Sequence, residues 1–252
     1  MTKLVGILNL TPDSFFDGGK HNERTDALKQ SKFLIKSGAN IIDVGAQSTR
    51  PNAEILTPAQ EWQRLENILP EVTVLAHENN VQVSLDSFHP ENMAKALALG
   101  IDIINDVSGF ENPQMIKLAA NSGKKIVVMH NLGVPADKNK IIDENLDVIA
   151  VLINWMQEKQ EVLLKFGIKK EQIIFDPGIG FGKNAQQSIV IIKEFERLKS
   201  LNLPIYIGHS NKSFLDSFEI AGCQTREEKT RKISEDLMRQ GVDYLRLHAI
   251  SN

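Results

Sequence analysis

The chain has 252 residues, 42% apolar, 24% charged and 6% aromatic, which is enough apolar material for a buried core and excludes disorder as its general state. Twenty-nine Lys and Arg against 32 Asp and Glu leave a net charge of −3, too balanced for an electrostatic nucleic-acid binder, so any anion must be held by local groups. The single cysteine, Cys223, excludes an internal disulfide and a Cys-rich metal cage.

The apolar run Leu4 to Leu8 is broken by Asn9. It is too short for a secretory leader, and no run approaches membrane-spanning length, so a soluble cytoplasmic protein is expected. Strands are predicted near Leu4–Leu8, Ile41–Val44, Gln82–Leu85, Asp102–Ile104, Lys125–Met129, Gln172–Phe175, Pro204–Ile207 and Asp243–Leu247. Helical periodicity falls between them, near Thr25–Ser37, Pro58–Asn79, Pro90–Leu99, Pro113–Ser122, Asn145–Phe166, Ala185–Ser200 and Arg226–Gln240. Several of these begin with proline in the first turn and stop at glycine, the usual asymmetry of helix ends.

Eight strands alternating with helices predict a (β/α)8 TIM barrel forming a single domain over residues 1–252. An open doubly wound sheet would carry a glycine-rich phosphate turn after its first strand, where this chain has Asn9-Leu-Thr-Pro-Asp13. The helix expected after strand eight is missing, because that strand ends near His248 and the sequence at Asn252.

Barrel chemistry gathers at the C-terminal ends of strands, and the unusual residues fall there. Taken singly, Asp86, Asp106 and Asp176 read as helix N-caps, Asp43-Val-Gly45 as a turn, and Lys183 and Lys212 as solvated lysines. Arg246 and His248, which alternate on one strand, read as a polar layer at the rim; His21, His77 and His89 read as surface residues. Taken together, Asp86, Asn105, Asp176 and Lys212 make a donor and acceptor set for a flat heterocycle such as a 2-amino-pyrimidinone. Arg246, His248, Asn9 and Thr49 make a second set suited to phosphate oxygens, with Asn9 a candidate Mg²⁺ ligand. The pair of sets points to a phosphorylated heterocyclic substrate.

Eight motifs in register then resemble those of the dihydropteroate synthase family of folate biosynthesis. They are Gly6-Ile-Leu-Asn-Leu-Thr-Pro-Asp-Ser-Phe15, Asp43-Val-Gly-Ala-Gln-Ser-Thr-Arg-Pro51, Val83-Ser-Leu-Asp-Ser87, Ile104-Asn-Asp-Val-Ser-Gly109, Val128-Met-His130, Phe175-Asp-Pro-Gly-Ile-Gly-Phe-Gly-Lys183, Ser210-Asn-Lys-Ser213 and Arg246-Leu-His248. The resemblance implies condensation of (7,8-dihydropterin-6-yl)methyl diphosphate with 4-aminobenzoate to dihydropteroate and diphosphate, with Mg²⁺ as cofactor. It implies pterin contacts from Asp86, Asn105, Met129, Asp176 and Lys212, and diphosphate contacts from Asn9, Thr49, Arg246 and His248. A 4-aminobenzoate subsite of Phe15, Thr49, Arg50, Pro51 and Ser213 is implied as well, with Asp86, Asp176, Lys212, Arg246 and His248 as the catalytic set and Asn9 on the metal. Sulfonamide sensitivity and a homodimer also belong to the family.

The chain departs from the family pattern at Asn211, where arginine is usual. That departure leaves open a pterin-binding paralogue impaired in catalysis. A methyltetrahydrofolate-binding methyltransferase domain is a further alternative, but one with no use for a diphosphate cluster.

Overall fold

The computed structural model describes residues 1–11, 20–49, 53–137 and 139–250, with the backbone alone at 20–23. Its strands are β1 (Lys3–Asn9), β2 (Ile41–Gly45), β3 (Gln82–Asp86), β4 (Ile103–Asp106), β5 (Lys125–Met129), β6 (Ile173–Asp176), β7 (Tyr206–Ile207) and β8 (Tyr244–Leu247). All eight belong to one parallel sheet in the order β6-β5-β4-β3-β2-β1-β8-β7. A bridge between Phe175 and Ile205 joins the two ends. The sheet is thereby a closed barrel, as the strand count predicts.

The helices are α1 (Lys20–Lys36), α2 (Pro58–Leu65), α3 (Leu69–Glu78), α4 (Pro90–Ala98), α5 (Pro113–Ser122), α6 (Val148–Lys165), α7 (Ala185–Lys193) and α8 (Arg226–Arg239). Proline opens α2, α4 and α5, where its missing N–H removes no intrahelical bond. The helix expected over Pro58–Asn79 is divided into α2 and α3. Pro70 lies in the first turn of α3, and a helix continuing through it would lose a hydrogen bond and meet the proline ring. The expected Ala185–Ser200 helix is likewise two pieces, α7 and a 3₁₀ segment over Phe195–Leu201. No helix follows β8 among the described residues, and no helix of the described chain is long and apolar enough to cross a membrane.

Alternation along each strand sorts the residues into two populations. Outward side chains such as Leu8, Val44, Leu85, Ile104, Val128, Phe175 and Leu245 pack beneath the helices in the larger core. Inward, Val5, Ile41, Ile103, Val127, Ile174, Tyr206 and Tyr244 fill the lower barrel as a separate apolar plug. Two residues further along β2, β4, β6 and β8 the inner face turns polar, at Asp43, Asn105, Asp176 and Arg246, and that second layer is the floor of the site.

Candidate active site

The same alternation places Asn9, Asp43, Asp86, Asn105, Met129, Asp176 and Arg246 on the inner face, each two or more residues above the plug. Arg246 ties the layer together. Its Nε donates to Asp43 Oδ2 at 2.7 Å and an Nη donates to Asp86 Oδ2 at 2.9 Å. Asn105 Nδ2 donates to both Asp43 oxygens at 3.2 Å. Asp43 is fully buried, and Arg246 and Asn105 supply the hydrogen bonds that a buried polar group needs. Above these groups, β1 ends with Asn9 beside Gly45. A Cβ on Gly45 would lie 3.7 Å from Asp86 Oδ2 and 3.9 Å from Asn9 Oδ1.

On the opposite wall, Asp176 ends β6 and accepts from the Gly178 N–H at 2.7 Å. The turn that follows needs glycine at 178. Its φ is +66°, and a Cβ would stand 1.9 Å from the His130 carbonyl oxygen, inside any possible contact. Lys212, after β7, donates to the Ile179 carbonyl at 2.5 Å and lies 4.9 Å from the centre of the Phe181 ring. Met129 is buried at the end of β5, paired with Asp176 across the ladder.

Several open hydrogen-bonding positions face the mouth. Among the described residues nothing donates to the second oxygens of Asp86 and Asp176 or to Asn105 Oδ1. Asp86 is partly exposed, while Asn105 and Asp176 retain 6% and 7% of their surface. The result is three outward acceptors facing one ammonium. Burial drives the titration of these groups. Desolvation raises Asp86 to about 7 against the opposing pull of Arg246, and it raises Asp176 against Lys212. It lowers Lys212 to about 8, with Asp176 resisting. A weakly charged pocket of this kind is ready to exchange protons or hydrogen bonds with an incoming ring near neutral pH.

The two sets of residues read from the sequence are one structure, because Arg246, grouped with the phosphate residues, is bound to Asp86 of the heterocycle set. Its remaining Nη has no acceptor among the described residues. His248 stands at the rim, where its Nδ1 lies 3.0 Å from Ser210 Oγ. Thr49 follows β2, and its carbonyl accepts from Ala136 N–H at 3.3 Å, joining the β2 and β5 loops. Ser213 is exposed and begins a 3₁₀ turn directly after Lys212. Asp13, Phe15, Arg50 and Pro51 lie outside the described residues.

None of the three aspartates caps a helix as single-residue reading predicts. The caps of the following helices are His89, Asn112 and Asn184, and Asp106 instead closes a turn through Ser108 and Phe110 N–H. Lys183, read as solvated, is buried, with its amine among His130 Nδ1, His130 O and Phe181 O. His89, read as a surface residue, is half-buried with Nε2 3.0 Å from the Leu56 carbonyl.

One residue central to the geometry was given no site role from the sequence, and another was missed there. Asp43, noted at the end of the second strand and read singly as part of a turn, sits mid-strand on the inner face. Glu61 of α2 is fully buried behind β3 and accepts from Ser87 Oγ at 2.7 Å and Asn92 Nδ2 at 2.6 Å. It anchors the segment immediately after Asp86.

A closed parallel barrel with an acceptor-lined mouth fits a pterin-binding enzyme, and a family model described as pterin binding enzyme matches residues 5–248. The chain is 39% identical over 216 residues to dihydropteroate synthase of Synechocystis, covering 85% of this chain and 73% of that protein. It is 34% identical to the Escherichia coli K12 enzyme, covering 98% and 86%. The structure of Anaplasma phagocytophilum dihydropteroate synthase with bound 6-hydroxymethylpterin-monophosphate superposes with a TM-score of 0.88 at 37% identity, covering 99% of this chain and 94% of that one. The Xanthomonas albilineans enzyme with 4-aminobenzoic acid gives 0.87 at 28% identity, covering 99% and 88%. The chain belongs to the dihydropteroate synthase family, and it is a transferase.

Proposed function

We infer that this chain joins 4-aminobenzoate to (7,8-dihydropterin-6-yl)methyl diphosphate. The observation that carries the reading is the set of outward acceptors on Asp86, Asn105 and Asp176 opposite the Lys212 ammonium. A pterin presents N–H donors along its pyrimidine edge, which the acceptors take, and it offers a ring nitrogen and carbonyl oxygen to Lys212. Met129 packs beside the ring.

The amine nitrogen of 4-aminobenzoate forms a bond to the pterin methylene carbon, the carbon–oxygen bond to diphosphate breaks, and the amine releases one proton. The free Nη of Arg246, with His248, Asn9 and Thr49, receives the charge that develops on the leaving diphosphate. Asp176 and the acceptor-lined pocket favour positive charge spreading into the pterin as that bond lengthens. Thr49 and Ser213, with Phe15, Arg50 and Pro51, form the 4-aminobenzoate subsite, holding the amine over the methylene.

Mg²⁺ fits this arrangement as an ion carried mainly by substrate oxygens. Asn9 Oδ1 offers one hard oxygen at the mouth, and no group of three or more His, Cys, Asp or Glu among the described residues could hold a metal alone. Bound to the diphosphate and Asn9, it would neutralise leaving-group charge.

Sulfonamides are expected to compete with 4-aminobenzoate, since the Yersinia pestis synthase, 30% identical with a TM-score of 0.86, has been solved as a sulfonamide drug complex. The free thiol of Cys223 suits the cytoplasm. Exposed Val162, Leu164 and Phe166 at the end of α6, with Met238 on α8, supply apolar surface for a homodimer.

The test is diphosphate release from the pterin diphosphate in Mg²⁺, with and without 4-aminobenzoate. Release that depends on 4-aminobenzoate is the expected result. Absence of release, with the pterin diphosphate still raising the melting temperature, would instead identify a binding protein impaired in catalysis.

A further inference from the structure

Asn105 carries a carbonyl at one end of its amide and two N–H donors at the other. The two ends have nearly the same shape, so only the surroundings decide which one faces a ligand. Asp43 makes that decision. A carboxylate accepts and cannot donate, and both Asp43 oxygens lie 3.2 Å from Asn105 Nδ2. The amide nitrogen is therefore turned down into the barrel, and Oδ1 is the atom presented to the mouth. Asp43 has no solvent exposure while Asn105 retains 6%, so a ring lying in the mouth meets Asn105 and not Asp43.

The same carboxylate takes Arg246 Nε at 2.7 Å. With Asp86 on an Nη, two edges of the guanidinium are committed and the other Nη is left for an anion. One buried side chain thus sets the hydrogen-bonding sense of two groups that face the substrate.

We propose that Asp43 is the positioning residue that fixes the Asn105 amide with its oxygen outward, so that the pocket accepts a ring N–H at that point and rejects a ring that offers an acceptor there. The proposal rests on the pterin reading given above. Replacing Asp43 with asparagine keeps the volume but supplies an N–H that can bond Asn105 Oδ1, so the Asn105 amide is free to turn its nitrogen to the ligand. A pterin N–H would then face another N–H.

The experiment is calorimetric binding of (7,8-dihydropterin-6-yl)methyl diphosphate to the wild type, Asp43→Asn, Asn105→Ala and the double variant Asp43→Asn/Asn105→Ala. Asp43→Asn is expected to weaken binding by roughly tenfold, the scale of one hydrogen bond in a buried site. In the Asn105→Ala background the same substitution should cost clearly less than in the wild type, with only the share that passes through Arg246 remaining, because residues acting through one contact are not additive. A second variant, Asp43→Asn/Asn105→Asp, exchanges the partners: residue 43 now donates and residue 105 again shows only acceptors to the ligand. It should bind within about threefold of wild type, even if Asp43→Asn alone does not fold.

Losses that add across the double variant, or an exchanged pair that binds as poorly as Asn105→Ala, would overturn the role of Asp43 while leaving the pterin reading intact. A wild type that does not bind the pterin diphosphate would overturn the pterin reading, and the proposal with it.

Discussion

Lys183 Nζ lies 2.7 Å from His130 Nδ1, and this contact sews the loop after β6 to the loop after β5. The amine also donates to the carbonyls of His130 and Phe181. Burial, with the nearby lysine second, lowers His130 to about 3. Lys183→Ala strands these acceptors and should destabilise the protein by roughly 2–4 kcal/mol in urea unfolding. A loss under about 1 kcal/mol would mean that other contacts hold the loops.

Activity should have a narrow pH optimum. Asp86 must be ionised to keep both its bond to Arg246 and its outward acceptor, and it titrates at about 7. Lys212 must be protonated to donate, and it titrates at about 8. kcat/KM for the pterin substrate should therefore fall on the acid side as Asp86 protonates and on the alkaline side as Lys212 loses its proton. Lys212→Ala should weaken pterin binding and remove the alkaline limb; a limb unchanged in that variant would assign it to another group.

Gly178→Ala should be far more damaging than Gly100→Ala, although both glycines have positive φ. At Gly178 the new Cβ meets the His130 carbonyl, whereas at Gly100, with φ +92°, it meets nothing within 4 Å. Gly100→Ala is expected to cost about 1 kcal/mol from backbone strain alone. Gly178→Ala should cost more than roughly 3 kcal/mol or prevent folding. Equal melting temperatures for the two variants would contradict the close approach of the β5 and β6 loops.

Acid should unfold the protein partly through His209. This ring is fully buried, with Nε2 near the Thr230 carbonyl and Ser234 Oγ at 3.1 Å each, and burial lowers it from 6.5 to about 4. A depressed folded value means that the unfolded chain binds the proton first. His209 therefore contributes its full stability above about pH 6.5 and loses it as the pH falls towards 4, a change of about 3 kcal/mol. His209→Gln should flatten stability over that interval by a comparable amount, as read from urea unfolding between pH 7 and 4.5. An unaltered slope would show that His209 does not carry the effect.

Much of the barrel was legible because it rests on local signals. Proline and glycine mark helix ends, and period-two alternation carries Asn9, Asp86, Asn105, Asp176 and Arg246 to one mouth once the strands are placed. What was hidden depends on partners distant in sequence. Asp43-Val-Gly45 has the composition of a turn, and only the approach of Arg246, 203 positions later, makes Asp43 part of the site. Glu61 sits in a mostly polar helix, and its burial goes with Ser87 and Asn92, which lie 26 and 31 positions away. Lys183 resembles any lysine after a glycine-rich turn until the His130 loop folds over it.

The link from Arg246 to Asp43 and Asp86 spans 203 and 160 residues, so it is among the last contacts a growing polypeptide can make. Until β8 docks between β1 and β7, the barrel is an open sheet whose interior holds two acidic groups without their cation. Folding of such long-range topology is slow, and the missing charge works against premature closure around the half-made interior. Completion of the barrel and completion of the binding site are then one event, and a truncated or stalled chain has neither.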